Sequence, residues 1–303
     1  MAVYVVGDFI RETRLRKGYT QEDVSFGICT PASLSRIENG VQMPGRFTLE
    51  KLLERLGTEN NLFNMFVSRE EMELYESVQA MIRNITDGDI VELEQQIDKV
   101  DKLTKNASEL ERQCLLFAKG ELLKQRDGDT ESAMELFMKA IHITLPKFDG
   151  KTPLKSNLLT FDEITIINSI AVQYAGKGSM KEALQLGFWL KDYMEEKVVE
   201  GKMKTAKYPM ILYNLTNWLT CENRFKEALE IADTGIDFCI KFGNLIALPL
   251  LVFNKAYSLA ELEEYDVAKR YFNQSIVIFQ TMKKYDNAQI AIDWCKNHYQ
   301  IEF

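Results

Sequence analysis

Apolar and polar positions alternate in two different styles along this chain. Over the first sixty residues the apolar positions recur at three- and four-residue intervals in short bursts, each closed by a glycine, which is the pattern of short amphipathic helices. The first burst runs from Asp8 to Lys17 and stops at Gly18. Thr20 opens a second helix, with Asp23 at the capping-box position three residues on. Ile28-Cys29 makes a turn, and Thr30-Pro31 opens a third helix as N-cap followed by proline at the first helical position. Gly40 ends that helix, Pro44-Gly45 is a loop, and "TLEKLLERLG" from Thr48 to Gly57 is a fourth helix. A last short helix is expected near Asn61 to Phe66.

From about Ser68 the bursts lengthen into long helices, and no run reads as a strand. Three stretches, "QYAGKGSMKEALQLG", "NWLTCENRFKEALEIA" and "YSLAELEEYDVAKRYF", share one template: the end of a helix, a turn, the start of the next helix. Ala183, Ala228 and Ala268 fill the same slot, and a weaker copy, "LLKQRDGDTESAMELF", puts Ala133 there. Seven positions on stand Ala140, Gly235 and Ser275, with Leu190 as the exception; twelve positions earlier stand Ala171, Thr216 and Ala256. Small residues at fixed helical slots let two helices approach closely. Residues 70–107 read as a further degenerate helix pair, and Asp286 to Gln300 as a terminal capping helix. An all-α chain is therefore expected, with a domain of short helices over 1–66 and a repeat domain over 67–303.

Composition narrows this picture. Of the 303 residues, 46% are hydrophobic and 27% charged, ordinary values for a globular chain that can bury a sizeable core. Met1 to Phe9 has neither a basic start nor a small-residue cleavage site, so no signal peptide is expected. The longest apolar run, Leu245 to Phe253, is too short to span a bilayer. Five cysteines are scattered and never form a CxxC, which fits reduced thiols in a cytoplasm, and the two histidines offer no metal cluster. Neither a metal nor another cofactor is expected. Residues 1–66 hold eight basic and eight acidic residues, so the whole net charge of −8 falls on the remainder. That acidity argues against nucleic acid binding by the repeat part and leaves the first segment open.

The spacing of residues 8–40 is that of a helix-turn-helix. Arg14, then Gly18-Tyr19-Thr20-Gln21-Glu22, then Leu34 and Ile37-Glu38-Asn39-Gly40 together resemble the lambda-repressor-like (Xre) class. The stretch between Val24 and Thr30 is one residue shorter than the commonest form. The third helix, "PASLSRIE", would then be a recognition helix, and its bareness has a purpose: Pro31, Ala32 and Ser33 permit close approach to base edges. Ser35 lies on the same helix, and Arg36, one turn in, is the candidate for a bidentate guanine contact. The resemblance also implies phosphate contacts at Gln21, Thr30 and Asn39 and a minor-groove position at Arg46. Thr30 has a second reading as a plain cap, and Asn39 as the holder of a turn with Gly40. The same resemblance pairs Arg14 with Glu38 in a buried ion pair. Leu34, Ile37, Val24 and Phe47 read as core, while Arg11, Arg16 and Lys17 either steer toward phosphate or are simply solvated.

The repeats resemble the tetratricopeptide repeat. A helix-turn-helix followed by such repeats, with the phrase "GICTPASLSRIENGVQMP", resembles the Rgg, PlcR and PrgX (RRNPP) group of bacterial regulators. The resemblance implies a cytoplasmic transcription regulator whose repeats bind a short signalling peptide and form a homodimer. With the alanines as register marks, the inner face should carry Asn168, Tyr213, Asn217, Phe253 and Tyr257, with Asn214 and Asn254 beside them. Asparagine offers both donor and acceptor to a peptide backbone, and aromatics supply apolar contact. Asn214 and Asn254 are equally suited to bonds between repeats. Two rival readings stand beside this one. No GxSxG, P-loop, HExxH or Cys/His pairing supports an enzyme. Repeats that hold a protein rather than a peptide remain the alternative.

Overall fold

The computed structural model describes residues 2–58, 69–104, 109–154, 158–196 and 202–301. Among them the only regular elements are helices, fifteen in all. They fall into two compact units, residues 1–173 with 198–201, and residues 174–197 with 202–303.

The first unit starts with four helices: α1 (Ala2–Arg16), α2 (Gln21–Ser25), α3 (Pro31–Glu38) and α4 (Arg46–Arg55). Their ends follow from local chemistry. Thr20 accepts from the Asp23 backbone N–H at 3.1 Å and donates its own N–H to Asp23 at 2.8 Å, a complete capping box. Thr30 Oγ1 accepts from the Ser33 N–H at 3.1 Å, with Pro31 at the first helical position, as expected. Helix α4 begins at Arg46, two residues before the expected start, with Gly45 as a cap that has no side chain to contribute. Val6, Ile10, Val24, Leu34, Ile37, Leu49, Leu52, Leu53 and Leu56 form the core of the four helices. Phe47 is buried too, but in another core: it packs with Val78, Met81, Leu93, Leu115 and Ala118 of the helices that follow. The short helix expected at Asn61 to Phe66 lies outside the described residues.

Five further helices complete this unit: α5 (Arg69–Asp87), α6 (Ile90–Leu103), α7 (Glu109–Asp127), α8 (Thr130–Thr144) and α9 (Phe161–Gly176), the last of which runs on past residue 173. Helices α5 and α6 are the degenerate pair expected over 70–107. Gly120 of α7 is glycine for a packing reason, since a β-carbon there would sit 2.6 Å from the Phe137 ring of α8.

The second unit holds α10 (Met180–Glu196), α11 (Lys202–Cys221), α12 (Phe225–Phe242), α13 (Leu248–Glu261), α14 (Tyr265–Thr281) and α15 (Tyr285–Tyr299). The alanine slots are where the helices meet: Ala133, Ala183, Ala228 and Ala268 are wholly buried, as are Ala171, Thr216 and Ala256. Close approach is also visible at Gly235, whose β-carbon would stand 2.8 Å from Leu251. Each repeat turn contains one left-handed residue five positions before its slot: Gly128, Gly178, Asn223, Glu263 and, ahead of Ala288, Lys283. In four of these turns the next N–H reaches back to the carbonyl five residues earlier at 2.9 Å, from Ser179 to Tyr174, Arg224 to Leu219, Glu264 to Leu259 and Lys284 to Phe279.

Candidate functional site

The helix-turn-helix presents α3 with its small residues outward. Pro31, Ala32 and Arg36 are exposed, Ser33 and Ser35 are half-buried, and Leu34 and Ile37 face the core. Arg36 makes no side-chain hydrogen bond or ion pair among the described residues, so its guanidinium fork is available to a ligand. Thr30 is exposed and spends its hydroxyl as the cap, also donating to Ser33 Oγ at 3.0 Å. Asn39 is exposed as the C-cap and donates Nδ2 to the Ser35 carbonyl at 2.8 Å.

Behind this face lies a buried charge cluster. Arg14 Nε and Nη2 donate to the two Glu38 oxygens at 2.6 and 2.9 Å, and Nη1 donates to the Tyr19 carbonyl at 3.0 Å. The hydrogen bond to Glu38 raises the Arg14 pKa above its ordinary value. The pair ties α1 to the end of α3 and thereby fixes the recognition helix on the domain. Gln21 donates Nε2 to Glu38 Oε2 at 2.8 Å, completing the carboxylate's shell. Two candidate contacts therefore stand elsewhere than expected. The Gln21 side-chain amine is engaged with Glu38. Arg46 is only 6% exposed, and its guanidinium lies over the Tyr75 ring, 5.0 Å from the centroid, on α5. Tyr75 is twenty-nine residues away in sequence, which is why the cover was not visible there.

In the second unit, Tyr213, Asn214 and Asn217 of α11 and Phe253 and Tyr257 of α13 are half-buried on neighbouring helices. Asn254 is buried and bridges the helices: its Nδ2 donates to Thr216 Oγ1 at 2.6 Å and to Asn217 Oδ1 at 2.7 Å. Thr216 in turn donates to the Tyr213 carbonyl at 2.7 Å. Asn254 is thus the bond between repeats, and it orients Asn217 by occupying its oxygen. The Asn217 amine has no protein partner among the described residues. Tyr213, Phe253 and Asn254 line a cleft of about 160 Å3 together with Leu250, Phe279 and Ile290. Its wall is completed by Trp294, whose ring lies 5.2 Å from Phe253 and 5.4 Å from Tyr257. Trp294 stands on α15, which the sequence pattern presents as a terminal cap and not as part of the groove; Ala288, standing in the repeat slot, is the signal that α15 continues the template. Asn168 is half-buried on α9, in the first unit.

Among the described residues there is no cluster of three or more His, Cys, Asp or Glu suited to a metal ion, and no helix long and apolar enough to cross a membrane. All five cysteines are free thiols, and burial pushes Cys239 up to about 11 and Cys295 up to about 12.

A four-helix domain with a capped, bare recognition helix, followed by tetratricopeptide-like helix pairs, defines a helix-turn-helix regulator with a repeat domain. Residues 10–59 match the helix-turn-helix family model, and residues 151–300 match the model of the RNPP family C-terminal domain. The chain belongs to the RNPP family. Among solved structures it is similar to Bacillus thuringiensis PlcR in complex with the peptide PapR7 and DNA, at 18% identity, covering 95% of this chain and 98% of that one, with a TM-score of 0.62. The apo form of PlcR matches at 15% identity over 96% and 98% of the two chains, TM-score 0.61. The apo competence regulator ComR from Streptococcus vestibularis matches at 16% identity over 98% and 99%, TM-score 0.53. At these identities the likeness establishes the fold. No curated protein matches the chain.

Proposed function

We propose that the protein is a sequence-specific DNA-binding transcription regulator whose repeat domain senses a short signalling peptide. The observation that carries the reading is the pairing, in one chain, of a bare recognition helix bearing an uncommitted Arg36 with an uncharged aromatic cleft beside an uncommitted amide at Asn217. The solved PlcR complex, which contains both a peptide and DNA, supports the same reading. In this proposal Pro31, Ala32, Ser33, Ser35 and Arg36 meet the bases, and Thr30, Asn39 and the α2 start meet phosphate. The family being one of DNA-binding regulators, no catalytic role is assigned to any residue. The protein works in the cytoplasm as a homodimer, since one helix-turn-helix reads only a few base pairs.

In the groove, Asn217 donates to a peptide carbonyl while Tyr213, Phe253, Tyr257 and Trp294 hold an apolar side chain. Titration calorimetry with short peptides encoded beside the gene, on parent and Asn217→Ala protein, tests this. Losing a bond that leaves a peptide carbonyl unpaired costs about 1–3 kcal/mol, a weakening of roughly tenfold to a hundredfold. Unchanged affinity in the variant would remove Asn217 from the site. A parent whose DNA affinity responds to a protein partner but to no peptide would make the repeats a protein-docking platform instead.

A further inference from the structure

Helix α4 of the helix-turn-helix is fastened to the helices behind it by charges that DNA reading does not use. Arg55 and Glu163 of α9 are both fully enclosed, with Arg55 Nη2 3.1 and 3.0 Å from the two Glu163 oxygens. Arg55 Nη1 donates to the Phe26 carbonyl in the turn after α2. Glu163 is also the capping-box residue of α9, accepting from the Thr160 N–H at 2.6 Å while Thr160 Oγ1 accepts from the Glu163 N–H at 3.3 Å. One turn back on α4, Lys51 Nζ lies 2.9 Å from Glu54 Oε1 and 2.8 Å from Asp162 Oδ2. The second Glu54 oxygen accepts the Phe161 N–H at 3.1 Å. From α7, Cys114 Sγ donates to Asp162 at 3.4 Å. Beside this cluster Gly27 touches the end of α8 so closely that a β-carbon would sit 2.5 Å from the Thr144 carbonyl.

Buried ion pairs are poor adhesives, because apolar residues of the same size hold two surfaces together at least as well. What forked, hydrogen-bonded pairs add is a single orientation. We infer that the α4–α9 charge cluster is a positioning device: Lys51, Glu54 and Arg55, locked on Asp162 and Glu163, fix the bearing of the recognition helix on the first repeats. Two features fit that role. The cluster leaves Pro31, Ala32 and Arg36 exposed, so it aims the DNA-reading face without covering it. Helix α9 also carries Asn168, so a ligand that shifts α9 turns the recognition helix with it. The consequence for DNA rests on the proposed function; the positioning itself does not.

The cluster holds three carboxyls, Glu54, Asp162 and Glu163, against two cations, with Glu50 adding negative field from the α4 side. Burial raises the Glu54 pKa, Lys51 opposes this, and Asp162 and Glu50 add to it, leaving Glu54 up to about 7. One proton therefore decides how firmly the cluster closes. Burial works to lower the Lys51 pKa, but Asp162 and Glu54 outweigh it and hold that amine charged.

The test is a pulsed electron-spin distance measurement on the full chain. Nitroxide labels are placed at Glu12 on α1 and Glu135 on α8, both exposed, in a Cys29→Ser, Cys221→Ser background. The parent should give one narrow distance distribution. The apolar double variant Arg55→Leu/Glu163→Leu should melt at or near the parent temperature yet give a broadened distribution, which a merely adhesive role would not produce. Between pH 8 and pH 6 the ratio of positioned to loosened molecules should rise about tenfold in the parent and stay level in Glu54→Gln. Narrow, superimposable distributions in parent and double variant overturn the inference, as does a parent distribution already broad at pH 6. A random 30-base-pair duplex serves as a separate arm: a parent that ignores it removes the DNA-binding reading and leaves the distance result standing.

Discussion

Arg36 is the residue on which base reading depends in this proposal. It is exposed, one turn into α3, and free of side-chain partners among the described residues, so its truncation should cost contact and nothing else. Arg36→Ala is expected to lose about 1–3 kcal/mol on the preferred duplex and much less on a scrambled one, measured by fluorescence anisotropy. Equal losses on both would make Arg36 a phosphate contact. Arg14 should behave oppositely. Removing it strands Glu38 with only Gln21, and a buried charge left without its partner costs roughly 3–5 kcal/mol, so Arg14→Ala should melt early by calorimetry and bind DNA only as far as it stays folded. Both threonine caps were legible in the sequence because each rests on a fixed short-range pattern, whereas the Arg14–Glu38 pair, 24 residues apart, was legible only through the resemblance to the lambda-repressor-like class. Gln21 and Arg46 were not: the pattern says that a polar group stands there, but the partner that claims it, Glu38 or the Tyr75 ring, comes from a distant element.

At the scale of elements, the alanine slots announced the helix pairs because small residues are needed wherever two helices touch, whatever surrounds them. The left-handed turn five positions earlier is not legible in the sequence, since Gly128, Gly178, Asn223, Glu263 and Lys283 share a backbone angle but not one common side-chain type. The difference between those residues is testable. A β-carbon at Gly178 would meet nothing within 4 Å, so Gly178→Ala isolates the backbone penalty and should cost about 1–2 kcal/mol. Glu263→Asn should go the other way, gaining a few tenths to about 1 kcal/mol, because asparagine tolerates the left-handed region better. Gly187 of α10 is the contrasting case. Its φ is ordinary, but a β-carbon would stand 2.7 Å from Leu215 and 2.8 Å from Trp218, so Gly187→Ala should cost roughly 1–3 kcal/mol through overpacking. Urea melts of the three variants separate the two causes; a Gly178→Ala protein as stable as the parent would mean that the turn relaxes.

For the molecule as a whole, charge and positioning combine. The net charge of −8 lies entirely outside residues 1–66, so the repeat domain repels phosphate and the neutral DNA-reading domain gathers little long-range attraction by itself. In the proposed function tight binding then comes from two recognition helices at once, held at a set separation by the proposed dimer. Duplexes selected from a random pool by the full-length protein should therefore be inverted repeats, with half-sites about one helical turn or a whole multiple apart. The strictness of that spacing should depend on pH. Glu54 is raised from its ordinary value to about 7 in the closed cluster, so closure is favoured by the bound proton; the benefit is complete below pH 4.5 and is lost as pH rises through 7. Selection at pH 6 should return one spacing, and selection at pH 8 a broader set, while Glu54→Gln should return the same spectrum at both. Winners that carry a single half-site at either pH would count against the dimer. A parent whose spacing is equally strict at pH 6 and pH 8 would show that the Glu54 proton has no say in where the recognition helices lie.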